Sequence, residues 1–221
     1  MSKVRVHNFA ISLDGFGTGA DQSMEAPFGH AGGRLMQWFM STPTFRAMQG
    51  ADGGTEGVDA DFAAQWADGI GAEIMGRNKF GPQRGDWPDD GWVGWWGDEP
   101  PFHTPVVVLT HHPREAIAVG ETTFHFVDQT PAEALELARS LAPNTDIRIG
   151  GGVDTVREFL AADLVDHLHL VQVPIVLGRG ERLWDDGAGL TLEGLEERFD
   201  IESTPSPSGV THFVYTRKPR D

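Results

Sequence analysis

Apolar residues recur along this chain in two rhythms, one alternating with polar positions and one spaced by three and four. Val4 and Val6 alternate with polar neighbours, and Phe9, Ile11 and Leu13 repeat the alternation one step out of phase. Lys3 to Leu13 is therefore predicted to be a strand, and the phase change near Asn8 predicts a bulge or burial on both faces. Asp14-Gly15 closes it with a turn pair. Further strands are predicted at Ala72–Met75, Pro105–Thr110, Thr122–Val127, Asp146–Ile149 and Leu164–Val173. The run PVVVLT is apolar and β-branched throughout, as in strands buried in parallel sheets. Two more strands, near Glu197–Ser203 and Val210–Arg217, are joined as a hairpin by Thr-Pro-Ser-Pro-Ser-Gly.

The helical rhythm is found between these strands. Phe62, Trp66 and Ile70 recur at four-residue spacing, predicting a helix from about Phe62 to Gly69 capped by Asp59 or Asp61. Thr130-Pro131-Ala132-Glu133 is a capping box with proline at the first helical position, opening a helix to about Ala142. Val153, Val156 and Phe159/Leu160 give the inward face of a helix from Val153 to Ala162. Leu35, Met36, Trp38, Phe39 and Met40 mark a short helix within an otherwise Gly-rich stretch. Residues 82–105 are rich in Pro, Gly and Trp, with Trp87, Trp92, Trp95 and Trp96 in ten positions; core plus lid is the expectation for them. Strands alternating with helices and ending in a hairpin predict an α/β domain with a mixed, mostly parallel sheet. Ligands in such sheets sit beyond the carboxyl ends of the strands.

Composition narrows the function. The chain has 221 residues, which fits one domain, 1–221, with insertions at about 17–57 and 84–104. It carries 33 acidic against 17 basic side chains, a formal charge of −16, which argues against nucleic acid and anionic membrane as partners. With no cysteine there are no disulfides, thiolate nucleophiles or zinc–cysteine sites. The start runs directly into the first strand, and no stretch approaches ~18 apolar residues, so a cytoplasmic protein is expected. Neither a Walker motif nor a nucleophile elbow is present. His167 and His169 share a strand face without a third ligand at a diagnostic spacing, so no metal is expected.

The candidate chemistry lies at three strand ends. Gly150-Gly151-Gly152 opens a helix, where bare backbone and free N–H groups suit an anion. Met75-Gly76-Arg77 ends another strand, and Thr110-His111-His112-Pro113-Arg114 follows a third. With Lys79 and Arg84 these segments gather cations in an acidic protein, as a phosphate-bearing ligand requires.

That order of motifs resembles the dihydrofolate reductase superfamily. It is most similar to the reductase domain at the C-terminus of the bacterial bifunctional deaminase-reductase of riboflavin biosynthesis. Ser12-Leu13-Asp14-Gly15 and the segment from Val173 to Trp184 resemble that branch, and the likeness covers nearly the whole chain outside the two insertions. The resemblance implies a three-layer dihydrofolate-reductase-like fold and an NADPH site. Ala10 would bind the nicotinamide amide through its backbone. Gly76 and Arg77 would hold the adenosine and pyrophosphate side, and Thr110 and His111 the 2′-phosphate. Gly150, Gly151, Gly152 and Val153 would cradle the pyrophosphate, with Thr155 on the same helix. Lys79 stands where the family usually has threonine and adds a cation. Asp14 and Asp61 are the candidate catalytic carboxylates, with Asp59 and Gln65 as alternatives to Asp61. The implied activity is hydride transfer from NADPH to a small planar heterocycle, as for 5-amino-6-(5-phosphoribosylamino)uracil. A pterin or folate reductase and a non-catalytic nucleotide-binding protein are the alternatives. A homodimer is expected from the family and from the long strands Leu164–Val173 and Val210–Arg217.

Overall fold

A computed structural model of the chain, described over residues 2–88, 91–184 and 192–219, contains the bulge anticipated at Asn8. Strand β1 (Val4–Ser12) pairs in parallel with β8 (His167–Val173), and the register slips between Val6 and Phe9. Asn8 takes a positive φ of 57° at the slip. The extra residue puts Val4, Val6, Phe9 and Ile11 in a single hydrophobic cluster, so the two alternations belong to one face. Leu13 lies past the strand end and is 53% exposed.

The remaining strands are β2 (Phe16–Thr18), β3 (Ile70–Gly76), β4 (Pro105–Leu109), β5 (Arg114–Val119), β6 (Thr122–Val127), β7 (Asp146–Gly151), β9 (Glu181–Arg182), β10 (Phe199–Pro205) and β11 (Thr211–Arg217). Helices are α1 (Gln37–Met40), α2 (Pro43–Met48), α3 (Val58–Ala64), α4 (Arg77–Phe80), α5 (Pro131–Leu141), α6 (Val153–Ala161) and α7 (Leu192–Arg198). The main sheet runs β10-β11-β8-β1-β7-β3-β4-β6-β5. Strands β8 to β6 in that order are mutually parallel; β11 and β5 run antiparallel to them, and β10 pairs antiparallel with β11. The mixed, mostly parallel sheet with a C-terminal hairpin is the architecture read from the sequence. Among the described residues no helix is long and apolar enough to cross a membrane.

Alternation along the central strands separates two layers. Ala72, Ile74, Val107, Ile147, Ile149 and Leu168 point to one face, where α5 and α6 cover them. The other face has three zones. Ala10, Val171 and Val173 pack under Leu35, Trp38 and Ala63 at one side. Met75, Val106, Val108, Phe124 and Phe126 pack under Phe80 and the Trp-rich segment at the other. Between them runs a polar row in which Glu73 is paired in register with Arg148, Arg148 with Arg5, and Arg5 with His167.

Several boundaries differ from expectation. Helix α3 starts after Gly57 and ends at Ala64, with Asp59 and Asp61 inside its first turn rather than capping it. Carboxylates there complement the helix dipole. The 62–66–70 spacing misleads because its three residues reach the sheet from a helix, a turn and a strand. The edge strand β5 was not anticipated; much of its REAIAV sequence is exposed and carries no strong alternation. Helix α7 was not anticipated either, and β8 begins three residues later than expected.

Candidate active site

A cleft of about 1080 Å³ opens over the carboxyl ends of β1, β3, β4 and β7. Ala10 lines it from β1, Gly76 from the end of β3, and Arg77 and Lys79 from α4. Thr110 and His111 enter after β4, and Gly150, Gly151, Gly152, Val153 and Thr155 enter from the β7–α6 turn. All eleven residues assigned to a cofactor by resemblance thus face one cavity. Asp14 and Asp61 do not line it.

The glycine turn is shaped by close approach. A Cβ at Gly150 would stand 2.0 Å from Glu73 Oε1 and 2.5 Å from Lys79 Nζ. Gly151 has a φ of +112°, a conformation that side chains rarely adopt. A Cβ on Gly152 would meet nothing within 4 Å, so this backbone faces open cleft. A Cβ at Gly76 would stand 2.4 Å from Thr155 Oγ1, which is why β3 ends bare against the start of α6. The α6 amino end has no side-chain cap, leaving N–H groups for an anionic ligand.

The cations after β3 and β4 are less free than their sequence suggests. Arg77 lies over Trp87, 4.0 Å from the ring centroid, and Arg114 lies over the same ring at 4.2 Å. Arg77 Nε and Nη2 are buried without a hydrogen-bond partner. Burial, with Arg84 nearby and against the pull of Asp86, lowers the Arg77 pKa from its ordinary value. His112 pairs with Asp86 at 2.9 Å, and His111 with Asp128 at 3.0 Å. Asp128 follows β6, a strand end that carries neither a glycine run nor a cation to mark it in the sequence.

Deeper in the cleft, Glu73 is buried (1% exposed) between two cations. Lys79 Nζ donates to Glu73 Oε1 at 2.8 Å and Arg148 Nη2 to Glu73 Oε2. Burial pulls the Lys79 ammonium down to about 7. Arg148 lies 4.4 Å from the Trp66 ring centroid, and its Nε is buried without a partner. Arg5 Nε donates to His7 Nε2 at 2.9 Å, which leaves the His7 proton on Nδ1, a buried atom with no partner. Burial first, and the neighbouring Arg5, hold the His7 pKa down at about 2. Arg148, Trp66, Glu73 and His7 are site residues that the sequence analysis does not assign to the site. The available signal was a charge amid apolar neighbours in IRI and AEIM, which marks a buried, paired group.

The carboxylates named as catalytic lie outside the cleft lining. Asp14 accepts hydrogen bonds from Ser12 Oγ at 2.6 Å, Leu177 N at 3.0 Å and Gly178 N at 2.7 Å. Desolvation opposes its ionisation, but these three donors prevail and bring its pKa to about 2. Asp14 ties the β1–β2 turn to the loop after β8, away from the cleft lining. Asp61 is exposed on α3, outside the cleft lining. Asp59 accepts from His212 Nε2 at 2.8 Å. Behind it His169 Nε2 donates to His212 Nδ1 at 2.9 Å, and Asn8 N donates to His169 Nδ1 at 3.2 Å. Among the described residues no three potential ligands converge on a metal position.

The chain matches the RibD C-terminal domain over residues 3–200. It belongs to the RibD C-terminal domain family. That family is the reductase domain of riboflavin biosynthesis, which makes the chain a member of an oxidoreductase family. Among solved structures it is similar to a protein of Shewanella sp. PV-4 assigned to riboflavin biosynthesis. The TM-score is 0.57 at 24% identity, over 99% of this chain and 100% of that one. It is also similar to a diaminohydroxyphosphoribosylaminopyrimidine deaminase/5-amino-6-(5-phosphoribosylamino)uracil reductase from Thermotoga maritima. There the TM-score is 0.56 at 13% identity, over 98% of this chain and 57% of that enzyme. At these identities both likenesses speak to fold alone. No curated protein matches the chain.

Proposed function

We propose that this RibD C-terminal domain binds NADPH in the cleft and reduces a pyrimidine-type substrate, with 5-amino-6-(5-phosphoribosylamino)uracil as the first compound to test. The carrying observation is the convergence of the glycine turn, Ala10, Arg77, Thr110 and His111 on one cavity. The residues fit the group: Gly152 faces open space, and Arg77 carries two buried donors without a partner. NADPH, when bound, supplies the hydride. Gly150, Gly151, Gly152 and Val153 hold the pyrophosphate with backbone N–H groups, and Thr155 supports the turn from beneath Gly76. Gly76 and Arg77 hold the adenosine side, Ala10 orients the nicotinamide amide, and Thr110 and His111 meet the 2′-phosphate. Trp66, Trp95, Trp96 and Phe102 line the cavity and offer flat apolar surface to a planar ring. A pterin or folate reductase is less well supported, because neither Asp59 nor Asp61 on α3 lines the cavity.

We infer that a second copy adds at β10. The strands that suggested pairing between subunits, β8 and β11, pair with each other, leaving β10 as the open edge on their side of the sheet, opposite the edge at β5. Sedimentation at micromolar protein yielding only the 24.1 kDa species would remove the dimer.

Titrating NADPH and NADH against tryptophan fluorescence tests the cofactor. A charge-assisted contact to the 2′-phosphate contributes roughly 1.5–3 kcal/mol, so NADPH binds at least about tenfold tighter than NADH. Arg77→Ala removes most of that difference. Asp128→Asn, which frees His111 from its carboxylate, tightens NADPH and leaves NADH unchanged. Equal affinities for the two nucleotides would overturn the assignment.

A further inference from the structure

We propose that Lys79 donates the proton that accompanies hydride transfer, with Glu73 and Arg148 holding its ammonium at the floor of the cleft. This rests on the reductase reading above. The substrate's C=O or C=N carbon gains the hydride from the reduced nicotinamide, the π bond breaks, and its electron pair moves to the heteroatom. That atom takes the proton as the Lys79 N–H bond breaks, leaving a neutral amine that solvent reprotonates. Oxidised nicotinamide is the other product.

Three observations converge on Lys79. The first is the cast of cleft groups. Asp14 and Asp61 lie outside it, and the guanidiniums of Arg77 and Arg148 do not release protons at working pH. The neutral His7 has one proton, and losing it would leave an imidazolide. Asp154 is paired with Arg157, Asp128 with His111 and His112 with Asp86, and Glu99 and Glu181 are exposed to water rather than buried with Glu73. Glu158 stands near Asp154 and His111, beside the 2′-phosphate groups.

The second is charge. Arg148 and Lys79 each take one oxygen of Glu73, so two cations share one buried anion. One cation balances Glu73, and the other leaves an uncompensated positive charge in a water-poor place. Releasing the Lys79 proton takes the trio from +1 to neutral while Arg148 keeps Glu73 paired. Desolvation already draws this ammonium down to about 7, close to the pH at which a general acid works best.

The third is access. The Lys79 side chain is 29% exposed and lines the cavity, whereas Glu73 is buried beneath it. The bare backbone of Gly150 gives the ammonium its place, since a Cβ there would stand 2.5 Å from Nζ. The charged groups facing Nζ are Glu73 on β3 and Arg148 on β7, with Arg5 and His7 on β1 beyond Arg148. Arg77, on Lys79's own helix, is turned to Trp87.

The chain has three lysines, Lys3, Lys79 and Lys218, so an NMR titration of the side-chain Cε and Nζ resonances isolates Lys79, assigned with Lys79→Met. In the intact protein Lys79 titrates well below the ordinary lysine range. With 5-amino-6-(5-phosphoribosylamino)uracil and NADPH, kcat falls as pH rises through that same value. Lys79→Met lowers kcat by roughly 100-fold or more and changes NADPH affinity by less than about threefold. Arg148→Met leaves Lys79 as the sole partner of Glu73, so its titration and the alkaline limb of kcat move together to higher pH. Glu73→Gln, an isosteric change that keeps the shape if Arg148→Met does not fold, moves both to lower pH. Lys79 titrating in the ordinary range, or a limb that stays put while the titration moves, overturns the proposal. A Lys79→Met protein that loses NADPH affinity tenfold without losing kcat assigns Lys79 to phosphate instead. No binding of NADPH, with Lys79 titrating as expected, overturns the reductase reading and this role together.

Discussion

Gly151 and Gly152 share a turn but not a constraint. At Gly151 the φ of +112° itself demands glycine, so a side chain there strains the backbone as well as any ligand. Gly152 has a φ of −67° and open space ahead of it, which separates the two effects. Gly152→Val is expected to weaken NADPH binding at least about tenfold while changing the melting temperature by no more than about 2 °C. Fluorescence titration and a thermal melt of the same sample check it; unchanged affinity would mean that the turn carries no ligand. Asp14 gives the opposite pattern. Asp14→Ala removes the acceptor for Leu177 N and Gly178 N, so it lowers the melting temperature and leaves NADPH affinity intact. The sequence revealed the glycine triplet because a strand-to-helix turn has a local signature. It offered Asp14 as a catalytic candidate because Asp-Gly serves turns and active sites alike, and two of the three donors on the carboxylate lie more than 160 residues away.

Helix α3 is held to the sheet by aromatic stacking and one hydrogen bond from an imidazole to a carboxylate. Phe62 stacks on His212 at 4.3 Å and on His169 at 4.7 Å, and Asp59 accepts from His212 Nε2. Asp59→Ala strands a buried N–H donor, a loss of roughly 1–3 kcal/mol. A urea midpoint lowered at constant slope, with NADPH affinity preserved, is the expected result. A large loss of cofactor affinity would restore Asp59 as a site residue. Elements with a cap or a β-branched run, such as α5 and β4, were legible because their signals are local. Helix α3 was displaced because Trp66 reaches Arg148 from beyond its end, a contact made across chain distance. The two cation-rich segments were legible as composition, but their pairing with Asp86, Asp128 and Trp87 was not, since tertiary contact alone decides it.

Across the whole molecule, the central polar row links folding to pH. Burial lowers the pKa of His7 to about 2, of His169 to about 3 and of His167 to about 4, from 6.5. Between about pH 6.5 and 4 the unfolded chain therefore binds protons that the folded one refuses, and stability falls as pH falls. Each such group contributes about 1.4 kcal/mol per pH unit, so three give a slope of roughly 3–4 kcal/mol per unit near pH 5. Urea unfolding at pH 7, 6 and 5 measures it, and a flat profile would show that the histidines are charged or hydrated in the fold.

The sheet order, by contrast, was only partly foreseeable, because strand neighbours are chosen by side chains meeting in space. The slip at Asn8 has its own consequence, for tolerance of sequence change. Because one surplus residue makes both halves of β1 serve the same layer, removing Asn8 leaves Val4, Val6, Phe9 and Ile11 in one unbroken alternation, whereas removing a residue on either side of the slip turns one half of a central strand over. A deletion scan across β1 should show a dip in intolerance at Asn8, flanked by sharp intolerance within Val4–Val6 and Phe9–Ile11. The long surface segments on either side of β3 should lose single residues with far milder effect. A chain that carries long segments at its periphery also carries one surplus residue in the middle of its sheet, and that is the one place in the strand where the alternation can close over a loss.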